Sequence, residues 1–174
     1  MEIKEIIEKY EIKKVGSDKI SCCKKALSDG MIDTIKARKS DIIAYIDAKE
    51  AEEKAAFEDR QRKISEIEGL AEINKAIYEL EKWHYEFRNS FDGESGGGVG
   101  VGKKPEYDFE AMYRRYPRAA AYLKADKMAL SENYSKSKFG REAREKIING
   151  EDYEQALKEA DEKWNAYCEK HMWD

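Results

Sequence analysis

The chain has 174 residues, of which 40% are charged and only two are proline, and its net charge is −4. That suits one domain, or a small module joined to a second, with exposed, ion-pair-laced helices. It excludes a membrane span, since no run approaches about 20 apolar residues, and it excludes a DNA mimic acting by acidity, whose negative sum would be far larger. Cys22, Cys23 and Cys168 are an odd set with two adjacent members, which is no disulfide framework and points to a reducing cytoplasm.

The N-terminus, MEIKEIIEKY, alternates charge with Ile3, Ile6, Ile7 and Tyr10 at helical spacing, so it reads as a helix rather than a signal peptide, with Glu5 set to pair with Lys9. IKKV, GSDK and ISCC then read as two short strands around a turn at Gly16 to Asp18. Ser28 caps a predicted helix carrying Met31, Ile32 and Ile35, and another starts near Ser40 or Asp41 with Ile42, Ile43 and Ile46. This defines a module over residues 1–46. Residues 47–68 lose apolar content and form a predicted charged helical spacer, with Glu50–Lys54 and Glu58–Arg62 as supporting pairs and a break at Gly69.

Residues 69–174 complete the chain as a helical domain interrupted by a flexible loop over 92–105. Leu70, Ile73, Ile77, Leu80, His84, Phe87 and Phe91 recur in steps of three and four, the seam of a buried amphipathic helix. After the loop come Phe109, Met112, Tyr113 and Tyr116, then a helix opened by Pro117 with Tyr122, Leu123 and Met128. The next helix holds Phe139, Ala143, Ile147 and Ile148 and stops at Asn149-Gly150. The last starts at Asp152, with Gln155 placed for a capping box, and carries Tyr153, Leu157, Ala160, Trp164, Tyr167 and His171 on one face. The fold expected is mainly α: a small αββαα module, a spacer and a C-terminal helical bundle.

Gly97 to Lys103 spells G-x-x-x-x-G-K, a phosphate-loop pattern without its final Ser or Thr. A phosphate loop needs a strand before it and a helix start behind it, whose dipole faces the anion. Here the preceding EKWHYEFRNSF is helical, Lys104 replaces the Ser or Thr, and Pro105 follows, so the stretch reads as a connector. Glu81-x-x-His84 is half of a di-iron signature whose second Glu-x-x-His is missing, and His84 falls in the apolar seam. Cys168-x-x-His171 offers two zinc ligands from one helix, but vicinal Cys22 and Cys23 do not readily complete four. No metal, cofactor or catalytic nucleophile is expected, and the protein is not expected to be an enzyme.

Charge is unevenly spread. Lys and Arg exceed Asp and Glu by two over residues 1–46 and by five over 103–148, while acids exceed bases by six over 47–94 and by five over 149–174. Such blocks suit charged partners or one another. The basic block interleaves Tyr107, Phe109, Tyr113, Tyr116, Tyr122, Tyr134 and Phe139 with Arg114, Arg115, Arg118, Lys124, Lys127, Lys136, Lys138, Arg141 and Arg144. Nucleic acid needs cations for phosphate and, when single-stranded, aromatic faces for bases. Tyr and Arg are equally the residues of protein interfaces. The plain alternative puts the aromatics in the core and the cations in water.

The helix EIIEKYEI, the hairpin KKVGSDKIS, the turn ALSDG and the helices ending IKARKSDIIAYI together resemble the TubC N-terminal docking-domain family of modular megasynthases. The resemblance implies an αββαα fold that often dimerises and receives an acidic partner segment on its exposed hairpin strand. Here that strand is Ile20 to Lys24, flanked by Lys13, Lys14, Lys19, Lys24 and Lys25. No synthase follows, so only an adaptor role carries over. YPRAAAYLKAD and REKIINGEDYEQALKEADEKWNAYCEKHMWD resemble small proteins of gut Firmicutes, their phages and mobile elements, among which are anti-CRISPR inhibitors of type II effectors. That similarity implies a mobile-element inhibitor that binds a host nuclease, with DNA or guide RNA as a further contact. A DNA-associated accessory protein is the alternative.

Overall fold

The computed structural model describes residues 2–22, 27–90 and 101–171. Among them are eight helices and one two-stranded sheet, a mainly α fold. The chain divides into two compact units, residues 1–59 and 60–174.

In the first unit, α1 (Ile3–Lys9) leads into a hairpin of β1 (Lys13–Val15) and β2 (Lys19–Ser21), followed by α2 (Asp29–Ala37) and the start of α3 (Lys39–Ser65). The strands are antiparallel with Lys14 opposite Ile20, and Gly16 supplies the positive φ of 73° that the tight turn needs. Strand alternation turns Ile20 and Lys14 to the inner side and leaves Lys13, Val15, Lys19 and Ser21 exposed. Ile6, Tyr10, Ile12, Ile35 and Ile42 form the core. Each fully buried isoleucine contributes about 1.5–3 kcal/mol relative to exposure. The Glu5 carboxylate accepts a hydrogen bond from the Glu2 amide at 3.1 Å, reaching back to cap α1 rather than forward to Lys9, which lies over the Tyr10 ring.

The helix expected near Ser40 and the charged spacer are one continuous helix of 27 residues. Residues 47–59 of it are exposed throughout. Ion pairs along it include Lys49–Glu53, Lys54–Glu58 and Arg62–Glu66.

The second unit packs the end of α3 with α4 (Leu70–Asn89), α5 (Phe109–Arg115), α6 (Pro117–Ala129), α7 (Tyr134–Ile148) and α8 (Tyr153–His171). Ile73, Ala119, Ala125 and Ile147 are fully buried at the centre. The termini follow local chemistry. Asp108 caps α5 through Ala111 N, Asn133 caps α7 through Lys136 N, and Asp152 caps α8 through Glu154 N and Gln155 N. The reciprocal half of the box at α8 does not form, because the Gln155 side chain runs forward to Glu159 at 2.9 Å. The α7 stop expected at Asn149-Gly150 is present, with Gly150 at φ 85°.

Two expectations for α4 and the loop need correction. The seam is buried only at Leu70, Ile73 and Ala76, then half-buried at Ile77 and Leu80. His84 is exposed rather than in the seam, its ring edge-on to Trp83 at 5.2 Å, because the seam turns there to Trp83 and Phe87, which stack at 4.9 Å; Phe91 lies outside the described residues. Of the loop, residues 92–100 also lie outside them, whereas 101–108 run against α4. Trp83 Nε1 donates to the Gly102 carbonyl at 2.7 Å, Lys104 stands over the Trp83 ring, and the Tyr107 hydroxyl donates to Glu79.

Candidate functional site: the charged surface and two grooves

The basic-aromatic block separates once folded. Tyr122 is buried, and Tyr116 and Phe139 pack against the core, while Tyr113 and Tyr134 face solvent. Burial pushes the Tyr122 hydroxyl above its usual range. Phe109 lies between Tyr107 and Tyr113, with ring centres 6.0 and 6.1 Å away.

Four of the nine candidate cations are held by neighbours. The Arg118 guanidinium donates to the Ile147 carbonyl at 2.7 Å, serving the negative end of α7. Arg144 bonds Asp126 on α6. Lys124 pairs with Asp161 on α8 at 2.6 Å. Lys136 sits 5.2 Å from the centre of the Trp164 ring. Arg115 stacks on Tyr116 at 5.0 Å but stays exposed. Arg114, Lys127, Lys138 and Arg141 are exposed and form no ion pair among the described residues.

The acidic and basic blocks therefore answer one another in part. Across α7 and α8, Glu142 pairs with Lys163 at 2.8 Å and Lys146 with Glu159 at 2.6 Å. Near the end of α3, Arg60 holds Glu145 at 2.7 Å, a bond that raises the guanidinium's pKa further. The Lys163 hydrogen bond holds Glu142 below the usual carboxylate value of 4.5, and bonds from Lys146 and Gln155 do the same for Glu159. A carboxyl with a lowered folded pKa contributes stability that is complete above its unfolded value and lost as pH falls through the folded one. The second unit should thus lose thermal stability as pH drops below about 4.5. Glu142→Gln/Glu159→Gln should flatten that acid limb in a pH series of melting curves, and an unchanged limb would remove these pairs as its cause.

In the hairpin, Lys13 and Lys19 are exposed, and Lys14 turns inward to pair with Asp47 on α3. Lys24 and Lys25 lie outside the described residues. Beside β2 runs a groove of about 330 Å³ whose apolar lining includes Ile20, Leu27, Ile32 and Ile35, with Lys19, Lys36 and Lys39 around it. No further strand pairs with the outer edge of β2 among the described residues. Sequence reasoning singled out Lys19 but missed Lys36 and Lys39, which α2 and α3 bring to it from a distant stretch of chain.

A larger open groove of about 1120 Å³ lies in the second unit, lined by α4, α5, α6 and α8. It contains two of the candidate cations, Lys124 and Lys127, beside Ile77, Tyr113, Leu123 and Leu157. Nothing in the sequence signalled it, since its lining is drawn from four separate helices.

The metal-like motifs stay apart: His171 lies tilted against Tyr167 with 4.6 Å between ring centres, and Cys168 is a half-buried free thiol. No group of three or more His, Cys, Asp or Glu gathers among the described residues. No helix among them is long and apolar enough to cross a membrane. No family model, curated protein or solved structure matches the chain.

Proposed function

We propose that this protein acts by binding other proteins rather than by catalysis, as a mobile-element inhibitor of a host defence nuclease of the type II CRISPR class. The observation that carries the binding reading is the groove beside β2. An apolar floor, a strand edge unpaired among the described residues and three lysines are the parts needed to receive an extended acidic segment. Such a segment gains main-chain bonds from the strand, and its side chains enter the groove while its carboxylates meet lysine. The nuclease as target is supported by the resemblance of size and type alone.

The test is a pull-down of the tagged full chain from a type II CRISPR host lysate, with and without nuclease digestion. The expected result is a stoichiometric effector that survives digestion and is lost with Lys19→Glu/Lys36→Glu/Lys39→Glu. Retention by that variant would remove the groove from the proposal.

The second reading, a DNA-associated accessory protein, is favoured by the exposed cations Arg114, Lys127, Lys138 and Arg141. It predicts recovery of nucleic acid alone, lost on digestion. It also predicts an affinity that falls steeply with salt and drops on reversing those four charges. Arg118 is unsuitable for that test, because its loss also uncaps α7.

A further inference from the structure

The large groove of the second unit carries an inference of its own. It rests on the protein-binding reading above but does not depend on the nuclease. One face of α6 runs along it at Pro117, Ala120, Lys124 and Lys127, with Leu130 just beyond and 76% exposed. Ile77 of α4 and Leu157 of α8 contribute to the lining as well. The 13 residues of α6 make the groove about 20 Å long.

Three features select its occupant. The volume exceeds the roughly 300–1,000 Å³ of small-molecule sites, and the shape is open and elongated. The lining comes from helices, whose backbone groups are already paired, so an extended strand would find no edge and would leave its own N–H and C=O groups unmatched. A helix satisfies its backbone internally and brings only side chains. Finally, Lys124 and Asp126 in the lining are paired with Asp161 and Arg144. The charges left without an ion pair among the described residues are two carboxylates on different helices, Glu81 of α4 and Glu154 of α8, and one ammonium, Lys127. Two separated carboxylates disfavour nucleic acid and favour cations on the incoming segment. A second copy of this chain is a poor candidate, because the apolar stripes of α4, α6, α7 and α8 already contribute to its core.

We propose that this groove seats an amphipathic helix of a partner protein, with its apolar stripe against α6 and its Lys or Arg side chains meeting Glu81 and Glu154. The test is selection from a display library of helix-forming peptides about sixteen residues long, against the full chain, followed by fluorescence anisotropy of the recovered sequences. Recovered peptides should carry apolar residues at i, i+3 or i+4, and i+7, flanked by Lys or Arg. Glu81→Lys/Glu154→Lys, both at exposed positions, should weaken their binding about tenfold and reverse its salt dependence. Leu130→Asp should weaken it as well.

The lysine variant of the β2 groove should bind these peptides unchanged. That separates the two sites: failure of the unaltered chain to capture an effector from lysate, with intact peptide binding, would sink the nuclease reading and spare this one. Recovery of no peptide, of acidic peptides, or of peptides indifferent to the Glu81/Glu154 variant would overturn the inference. So would sedimentation showing a dimer that Leu130→Asp dissociates, since the occupant would then be a second copy.

Discussion

Replacing Gly140 by alanine should destabilise the second unit by about 2–3 kcal/mol, although the same change inside an exposed helix stabilises by up to about 1 kcal/mol. Gly140 is buried in the middle of α7 where that helix meets the end of α6. A Cβ there would lie 2.3 Å from the Ala129 amide nitrogen and 2.6 Å from the Met128 carbonyl carbon. Both are backbone atoms, so no side chain can rotate away, and the helices must move apart. The approach is also bonded, since Ser137 Oγ donates to the Ala129 carbonyl at 2.7 Å one turn earlier. All three tryptophans fall within residues 60–174, so denaturation followed by intrinsic fluorescence reports this unit. Gly30→Ala supplies the contrast. Gly30 is in α2 with nothing within 4 Å of its missing Cβ, and that variant should gain about 0.5–1 kcal/mol, followed by circular dichroism. A neutral or stabilising Gly140→Ala would mean that the α6–α7 contact is looser than described.

What could be read from the chain was what depends on near neighbours. Ile6 with Tyr10, Ile42 with Ile46, and Ala143 with Ile147 lie on single helical faces, and their periodicity places them in the cores. Gly16, Pro117 and Gly150 act through their own backbone geometry, so the turn, the helix start and the helix stop follow directly. The charged residues behaved differently. A lysine at 124 or an arginine at 118 has the same local signature whether it faces water or a carboxylate 37 residues later or a carbonyl 29 residues later. Only the packing of α6 against α7 and α8 decides that, so the basic block looked more available than it is. The same limit applies to the α4 seam, where a regular pattern continues through His84 although the fold leaves that residue exposed. Both grooves belong to this second kind of feature, since each gathers residues from elements far apart in the chain.

Gly69→Ala should cost about 3 kcal/mol, from two sources that can be separated. Gly69 caps the start of α4 at φ 76°, a left-handed conformation that charges a residue with a Cβ about 1–2 kcal/mol. The Cβ would also meet the Tyr116 ring, 2.1 Å from Cγ and 2.3 and 2.4 Å from the two Cδ atoms. The ring has little freedom to yield. Pro117 follows it and excludes the helical region for Tyr116, whose φ and ψ are −125° and 66°. Its hydroxyl donates to Glu72 at 2.8 Å, a bond that raises its pKa, and Arg115 lies on its face. In a Tyr116→Ala background the clash disappears and only the backbone strain remains, so Gly69→Ala should then cost about 1–2 kcal/mol. Equal costs in the two backgrounds would show that the ring does not constrain the glycine. The consequence reaches the groove, because the contact of Gly69 with Tyr116 joins the first turn of α4 to the α5–α6 corner. Displacing it shifts Ile77 and Glu81 relative to α6, and Gly69→Ala should therefore weaken helix binding even though Gly69 is absent from the groove lining.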